Sequence, residues 1–171
     1  KEHMDMVWQT GICFGGSLSE YTVWLLERSL KTMAIRVKAQ NENAMKMATY
    51  LSQSKDVDNV YYPGLKNHPG HELAKSQMTG FGGMLSFELN PEIDASLFFK
   101  ELKPLNPSMS FAGIERTMLS PTQTSHSLMS PEDRAKQGIK DSLIRFSLGI
   151  EEIEDLIADI EQAIAKVKSM T

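Results

Sequence analysis

At 171 residues, 41% of them hydrophobic and 23% charged, the chain has the composition of one ordinary globular domain, or a domain with an arm, and not of a disordered or fibrous polymer. Its net charge of −4, with no gathered run of lysine or arginine, argues against a nucleic-acid surface. No apolar stretch approaches a transmembrane span, no signal-peptide pattern opens the chain, and the single Cys13 cannot form an internal disulfide, so the expectation is a cytoplasmic protein without a membrane partner.

The chain opens on Lys1 rather than methionine, and Lys1–Gln9 is a mixed apolar and charged run with no cap ahead of it, which predicts a piece of something longer. Ser17-Leu-Ser-Glu20 reads as a capping box. Apolar residues then recur at Leu18, Tyr21, Leu25, Met33, Val37, Ala44, Ala48 and Leu51, with no proline or glycine between. A single helix over 17–51 would span about 50 Å at 1.5 Å per residue, more than a compact small domain needs. Gln40-Asn-Glu-Asn43 is its weakest stretch and the expected place for a bend.

Val57–Tyr62 is suited to a strand stopped by Pro63-Gly64, and a short helix follows around His71–Gln77. Met84–Leu89 is a second strand, entered through Gly80-Phe-Gly-Gly83, and Pro91 is placed to open a helix reaching about Lys103. Met109–Ile114 and Leu143–Leu148 are the remaining strand candidates, with a short helix begun at Ser130-Pro-Glu-Asp133 and ended by Gly138 between them. In the last helix Ile153, Leu156, Ile157, Ile160, Ala163, Ile164 and Val167 form one apolar stripe. Acids crowd its first turns as a solvated face, and Lys166 and Lys168 close it, in keeping with the helix dipole. Strands and helices mix without a βαβ rhythm, which predicts an α+β fold: a small, mainly antiparallel sheet covered by helices on one face.

Few residues suggest chemistry on their own. His68 and His71 are spaced for a metal pair, but Pro69-Gly70 makes a turn and no third ligand completes a shell, so no metal site is expected. Ser110, Ser125 and His126 lack a nucleophile-elbow setting, and Gly80-Phe-Gly-Gly83 is neither a P-loop nor a dinucleotide fingerprint; close backbone packing accounts for it better. The eleven methionines are scattered and read as core filling. Arg145 stands apart, an obligatory cation within the apolar Leu143–Leu148. It is either an edge-strand charge reaching solvent or a group that binds an anion, because an unpaired charge is costly to desolvate.

Several motifs in order carry a resemblance: Leu26-Glu-Arg-Ser-Leu-Lys-Thr32, Tyr62-Pro-Gly-Leu65, His71-Glu-Leu-Ala-Lys75, Phe81-Gly-Gly-Met-Leu-Ser-Phe87, Ser110–Glu115, Thr124-Ser-His126 and Ile144–Glu151. Together they resemble the C-terminal part of the pyridoxal-phosphate (PLP) enzymes of cysteine and methionine metabolism, the transsulfuration family. The likeness is greater to its cystathionine γ-synthase and γ-lyase branch than to the β-lyases. It implies the small C-terminal domain of a fold-type I PLP-dependent transferase. Residues 1–16 would be a remnant of the large cofactor domain, 17–53 a long interdomain helix and 54–171 the small domain.

The family's Schiff-base lysine follows a Ser-x-Thr pattern that is missing here; Lys31 matches a structural position instead. The resemblance therefore implies no catalytic residue and no cofactor on this chain alone, which should be inert without an N-terminal PLP domain. It makes Arg145 the group that grips the substrate α-carboxylate, with Ser110 close to cofactor lysine and substrate. Glu115 would lie where the distal amino group of cystathionine binds, unless it simply pairs with Arg116 or solvent. Ala112 and Arg116 depart from the smaller residues usual at the pocket rim.

The implied substrates are amino acids (cystathionine, an activated homoserine, cysteine or methionine) and the implied assembly is a homo-oligomer, a tetramer in relatives. A methionine γ-lyase or cystathionine β-lyase is an alternative parent. A non-catalytic oligomerisation or interaction module, with Met4, Met6, Val7 and Trp8 as its partner surface, is the rival class.

Overall fold

The computed structural model describes residues 1–15, 18–103 and 113–170. These fall into two compact units, Lys1–Ile35 and Arg36–Thr171. In the first, α1 (Glu2–Phe14) and α2 (Glu20–Leu30) bury no side chain. No side chain caps α1, whereas Ser19 caps α2 by accepting a hydrogen bond from the Thr22 N–H. The cap therefore falls two residues beyond the expected Ser17, which lies outside the described residues. Along α2 the i, i+3, i+4 spacing brings Tyr21 onto Trp24, ring centroids 6.0 Å apart, and the Arg28 guanidinium over Trp24 at 5.8 Å.

The run anticipated as one helix is two, since α2 ends at Leu30 and α3 (Met33–Gln53) begins after the turn at Lys31-Thr32. The bend anticipated at Gln40–Asn43 is absent. Those residues are helical, and their side chains find hydrogen-bond partners outside the helix instead of competing with it.

The second unit is an α+β domain around one sheet, with strands β1 (Val57–Tyr61), β2 (Met84–Leu89), β3 (Thr117–Leu119) and β4 (Leu143–Ser147) in the order β1-β2-β4-β3. All three pairings are antiparallel. Helices α4 (His71–Gln77), α5 (Ala95–Glu101), α6 (Pro131–Lys136) and α7 (Ile153–Lys168) complete the fold. Period-two alternation sends Leu85, Phe87, Leu89, Met118, Ile144 and Phe146 to one face. There they share a core with Ala44, Met47, Ala48 and Leu51 of α3, Phe98 of α5 and the apolar stripe of α7.

Three expectations need correction. Residues 109–112 of the strand anticipated at Met109–Ile114 lie outside the described residues, and the third strand of the sheet is Thr117–Leu119. Helix α5 starts at Ala95 rather than Pro91, because the Asp94 carboxylate accepts from the Ser96 and Leu97 N–H groups and sets the first turn there. The acids of α7 are not all solvated: Asp159 is buried and paired with Arg116.

The opposite face of the sheet is polar, and Glu88 is its anchor. Its side chain is 2% exposed, yet it accepts hydrogen bonds from Asn59 Nδ2 at 2.8 Å, Tyr61 Oη at 3.0 Å and Lys140 Nζ at 2.8 Å. Burial pushes the carboxyl group up, but donation from Lys140, Asn59 and Tyr61 and the Lys140 charge outweigh it and hold the group below its usual value. A carboxylate held low in the folded state stabilises above its unfolded pKa, and that contribution is lost as pH falls through the lower folded value.

Two measurements follow from this packing. Phe146→Ala should cost about 3–5 kcal/mol, the usual penalty for emptying a fully buried aromatic site, seen as a lower urea midpoint at unchanged slope. An unshifted midpoint would mean that Phe146 does not pack as described. Lys140→Met should move the acid-unfolding midpoint, followed by circular dichroism, to higher pH, since Glu88 then keeps two neutral donors and loses its cation. A midpoint that stays put would show that Asn59 and Tyr61 alone hold the carboxylate.

Candidate functional site

Antiparallel pairing gathers three connections at one end of the sheet. Ser147, the last residue of β4, is paired with Met84 at the start of β2 and with Thr117 at the start of β3. The loops Gly80–Gly83, Gly113–Arg116 and Leu148–Glu151 therefore converge there. They are bonded to one another: Leu148 N–H donates to Gly83 O at 2.8 Å, and Ile150 N–H to Ile114 O at 2.9 Å. Arg116 N–H donates to Glu151 Oε1 at 2.7 Å.

Arg145 stands two residues in from this end, half-buried, its Cα in register with Ser86 on one side and Leu119 on the other. Since β4 is an interior strand, the edge-strand reading of this charge does not hold. With Tyr61 aligned on Ser86, one row runs Tyr61, Ser86, Arg145, Leu119 across the polar face.

The loops are fixed from behind by α3. Gln40 Nε2 donates to Gly113 O at 2.6 Å, Asn41 Oδ1 accepts from Gly82 N–H at 2.5 Å, and Asn43 Nδ2 donates to Gly149 O at 3.1 Å and Glu151 O at 2.8 Å. The glycines answer to this contact. A Cβ on Gly83 would come within 2.9 Å of Gln40 Cβ, and one on Gly80 within 2.8 Å of Asn41 Oδ1. One on Gly149 would collide with Glu151 Oε2 and Ile114 O, and Gly82 has φ +85°. Close backbone packing is thus the reason for the glycine-rich Gly80–Gly83.

Glu115 is exposed in the Gly113–Arg116 loop at this same end. Arg116 faces elsewhere: it is buried, its Nη2 donates to Lys103 O at 2.7 Å and to Asp159 Oδ2, and Asp159 Oδ1 accepts from Lys103 N–H at 2.9 Å and Gln162 Nε2 at 3.0 Å. This closed network makes Arg116 a pin between loop and α7 rather than a pocket-rim residue. Among the described residues Glu151 Oε2 is the buried side-chain oxygen without a hydrogen-bond partner. Ser110 and Ala112 lie outside the described residues.

The other candidates are structural. His71 Nδ1 bonds Pro63 O at 2.8 Å and its ring stacks on Phe81 at 5.4 Å, while His68 Nδ1 accepts from Gly70 N–H at 3.1 Å. Ser125 Oγ meets His126 Nδ1 at 2.8 Å on the exposed surface. No group of three His, Cys, Asp or Glu among the described residues could hold a metal ion, and no described helix is long and apolar enough to cross a membrane. Every lysine of the chain is exposed, Lys31 being held by Glu27 one helical turn away at 3.3 Å. No lysine is enclosed by this chain's own residues, so by themselves they do not fit pyridoxal phosphate.

Comparison with known proteins places the fold. The chain is 45% identical over 152 residues to a cystathionine β-lyase of Lactococcus lactis subsp. cremoris, covering 89% of this chain and 40% of that protein. It is 45% identical over 154 residues to the chloroplastic cystathionine γ-synthase 1 of Arabidopsis thaliana, covering 90% and 27%. A cystathionine γ-lyase of Bacillus subtilis is 42% identical over 153 residues, with 90% and 40% covered. The β-lyase thus stands level with the γ-enzymes, and the sequence reading that set β-lyases further off is not supported.

Among solved structures, cystathionine γ-synthase from Xanthomonas oryzae pv. oryzae in complex with cystathionine is similar with TM-score 0.86 at 36% identity, over 99% of this chain and 44% of that one. Cystathionine γ-lyase from Lactobacillus plantarum complexed with L-serine gives 0.84 at 38%, over 91% and 41%. The chain spans about 40% or less of the length of these curated relatives. The Cys/Met metabolism PLP-dependent enzyme profile matches residues 2–165, and with these likenesses the chain belongs to that family.

Proposed function

We propose that this chain is the substrate-side, C-terminal part of a transsulfuration enzyme that carries out β- or γ-elimination, or γ-replacement, on sulfur amino acids. Cystathionine γ-synthase or γ-lyase chemistry is one reading, and cystathionine β-lyase chemistry, with a relative as similar, stands beside it; methionine γ-lyase is a further one. The observation that carries it is Arg145, half-buried on an interior strand two residues from the end where three loops meet. A planar guanidinium held by a sheet offers a carboxylate two parallel hydrogen bonds and fixes the orientation of an amino acid.

Glu115, exposed at the same end, would supply an anion for the distal ammonium of a longer substrate, and the family resemblance assigns Ser110 to substrate binding. The cofactor would be held by the part of the whole protein that matches the other 60% or so of its relatives, and this chain alone would be inert. The whole protein is read as a cytoplasmic homo-oligomer.

One observation favours a second role for the N-terminal unit. Met4, Met6, Val7 and Trp8 are 64–72% exposed, and α1 and α2 bury nothing, so these apolar side chains serve an interaction. On the enzyme reading its occupant is the cofactor-bearing portion; on the rival reading the chain is a free-standing module.

The complete protein separates the two. The enzyme reading expects it to bind pyridoxal phosphate, seen as yellow absorbance, and to consume cystathionine, whereas a colourless protein supports the module. In the complete protein Arg145→Ala should keep the cofactor colour and lose about a hundredfold or more in kcat/KM, as for a charge-assisted pair worth about 3 kcal/mol. An unchanged kcat/KM would remove Arg145 from its role.

A further inference from the structure

We propose that Gln40 and Asn43 of α3 are positioning residues that set the separation between the Arg145 grip and the Glu115 carboxylate, and so determine the length of amino acid the site takes. The inference rests on the reading of Arg145 and Glu115 given above, but its grounds are the contacts of α3. Neither side chain had a place in that reading.

Both carboxamides are buried, Gln40 at 5% exposure and Asn43 at 9%, and both spend their donors on loop carbonyls rather than on their own helix. Asn43 uses both hydrogens of its Nδ2, on Gly149 O and Glu151 O, and so fixes the turn that leaves β4 four residues after Arg145. Gln40 bonds Gly113 O, two residues before Glu115. The two anchor points are one helical turn apart on a rigid element, so each loop is referenced to the same ruler.

A cross-link closes the frame. Glu151, held at its carbonyl by Asn43, accepts through Oε1 from Arg116 N–H, directly after Glu115. Each of these bonds lies on the path between the two groups that would meet opposite ends of a diamino substrate. Buried donors with no alternative partner are costly to remove, which makes them sensitive points of the frame.

The chemistry dictates the substitutions. Gln40→Glu and Asn43→Asp preserve size and helix position but replace a donor by a carboxylate facing carbonyl oxygens, so the loop must retreat. Gln40→Glu acts on the Glu115 side alone and Asn43→Asp on both sides.

The test uses the complete protein with two substrates: cystathionine, which presents an amino-acid group at each end, and methionine or an O-acylated homoserine, which presents one. For Gln40→Glu we expect KM for cystathionine to rise about tenfold while KM for the one-ended substrate moves less than about twofold, with cofactor colour retained. For Asn43→Asp both KM values should rise. Tyr50→Phe, which removes a bond from α3 to Glu161 away from the loops, should leave both KM values unchanged. A merely structural role would lower the folded, coloured fraction and leave the KM values of what remains untouched.

If Asn43→Asp fails to fold, Gln40→Glu alone decides. Equal shifts for both substrates, or none, with an active wild type would overturn the positioning role and leave the proposed function standing. A wild type that processes none of the substrates would overturn the function, and this inference with it.

Discussion

Four hydrogen bonds to three side chains of one helix turn hold the end of the sheet where its three connections converge. Gln40, Asn41 and Asn43 reach Gly113, Gly82, Gly149 and Glu151, which belong to three separate connections of the sheet. Each such bond contributes about 1 kcal/mol net, but a buried partner left without one costs more than that. Loops have no ladder to satisfy their backbone, so polar side chains must supply what neighbouring strands supply elsewhere. Here one helix does it for three loops at once. Gly80 and Gly83 are the steric counterpart, since a Cβ on either would run into Asn41 or Gln40.

This arrangement explains which parts of the structure were legible in the sequence. β2 and α7 were readable because their signal is periodic: Leu85, Phe87 and Leu89 alternate, and the stripe from Ile153 to Val167 repeats at the helical period. Arg145 stood out because a cation in an apolar strand is a local contradiction, but its place on an interior strand depends on the order of the sheet and was not legible. Gln40–Asn43 was misread for the same kind of reason. Asparagine and glutamine lower helix propensity, which is a local property, while the backbone groups that employ them lie about 40 to 110 residues away in sequence. Asp159 was misread likewise. It stands in an acidic face with Glu154, Asp155 and Glu161, and its partners Arg116 and Lys103, 43 and 56 residues distant, distinguish it from them.

Two buried ion pairs in the domain show different answers to the same cost. Asp159 and Arg116 are both withdrawn from water and are satisfied by a closed set of backbone and side-chain partners, which ties α7 to the loop before β3. Glu88 is withdrawn as fully, but its cation Lys140 remains 60% exposed, so only one partner bears the larger desolvation penalty. The second solution leaves the polar face of the sheet with a negative anchor on β2, and Arg145 stands on β4, the next strand of the same face. Their Cα positions are offset by two register pairs, Glu88 opposite Leu143 and Ser86 opposite Arg145.

The strand order has a consequence for how copies of the domain can meet. The two strands flanked on both sides are β2 and β4, which carry the aromatic and aliphatic core residues. Among the described residues the outer strands are β3, three residues long, and β1, whose pairing is broken by an irregularity between Val57 and Asn59. Short and irregular margins give an incoming extended chain little unpaired backbone to copy. Assembly by continuing the sheet from one molecule into the next is therefore disfavoured, and association is left to helical surfaces, where packing of side chains rather than backbone pairing selects the partner.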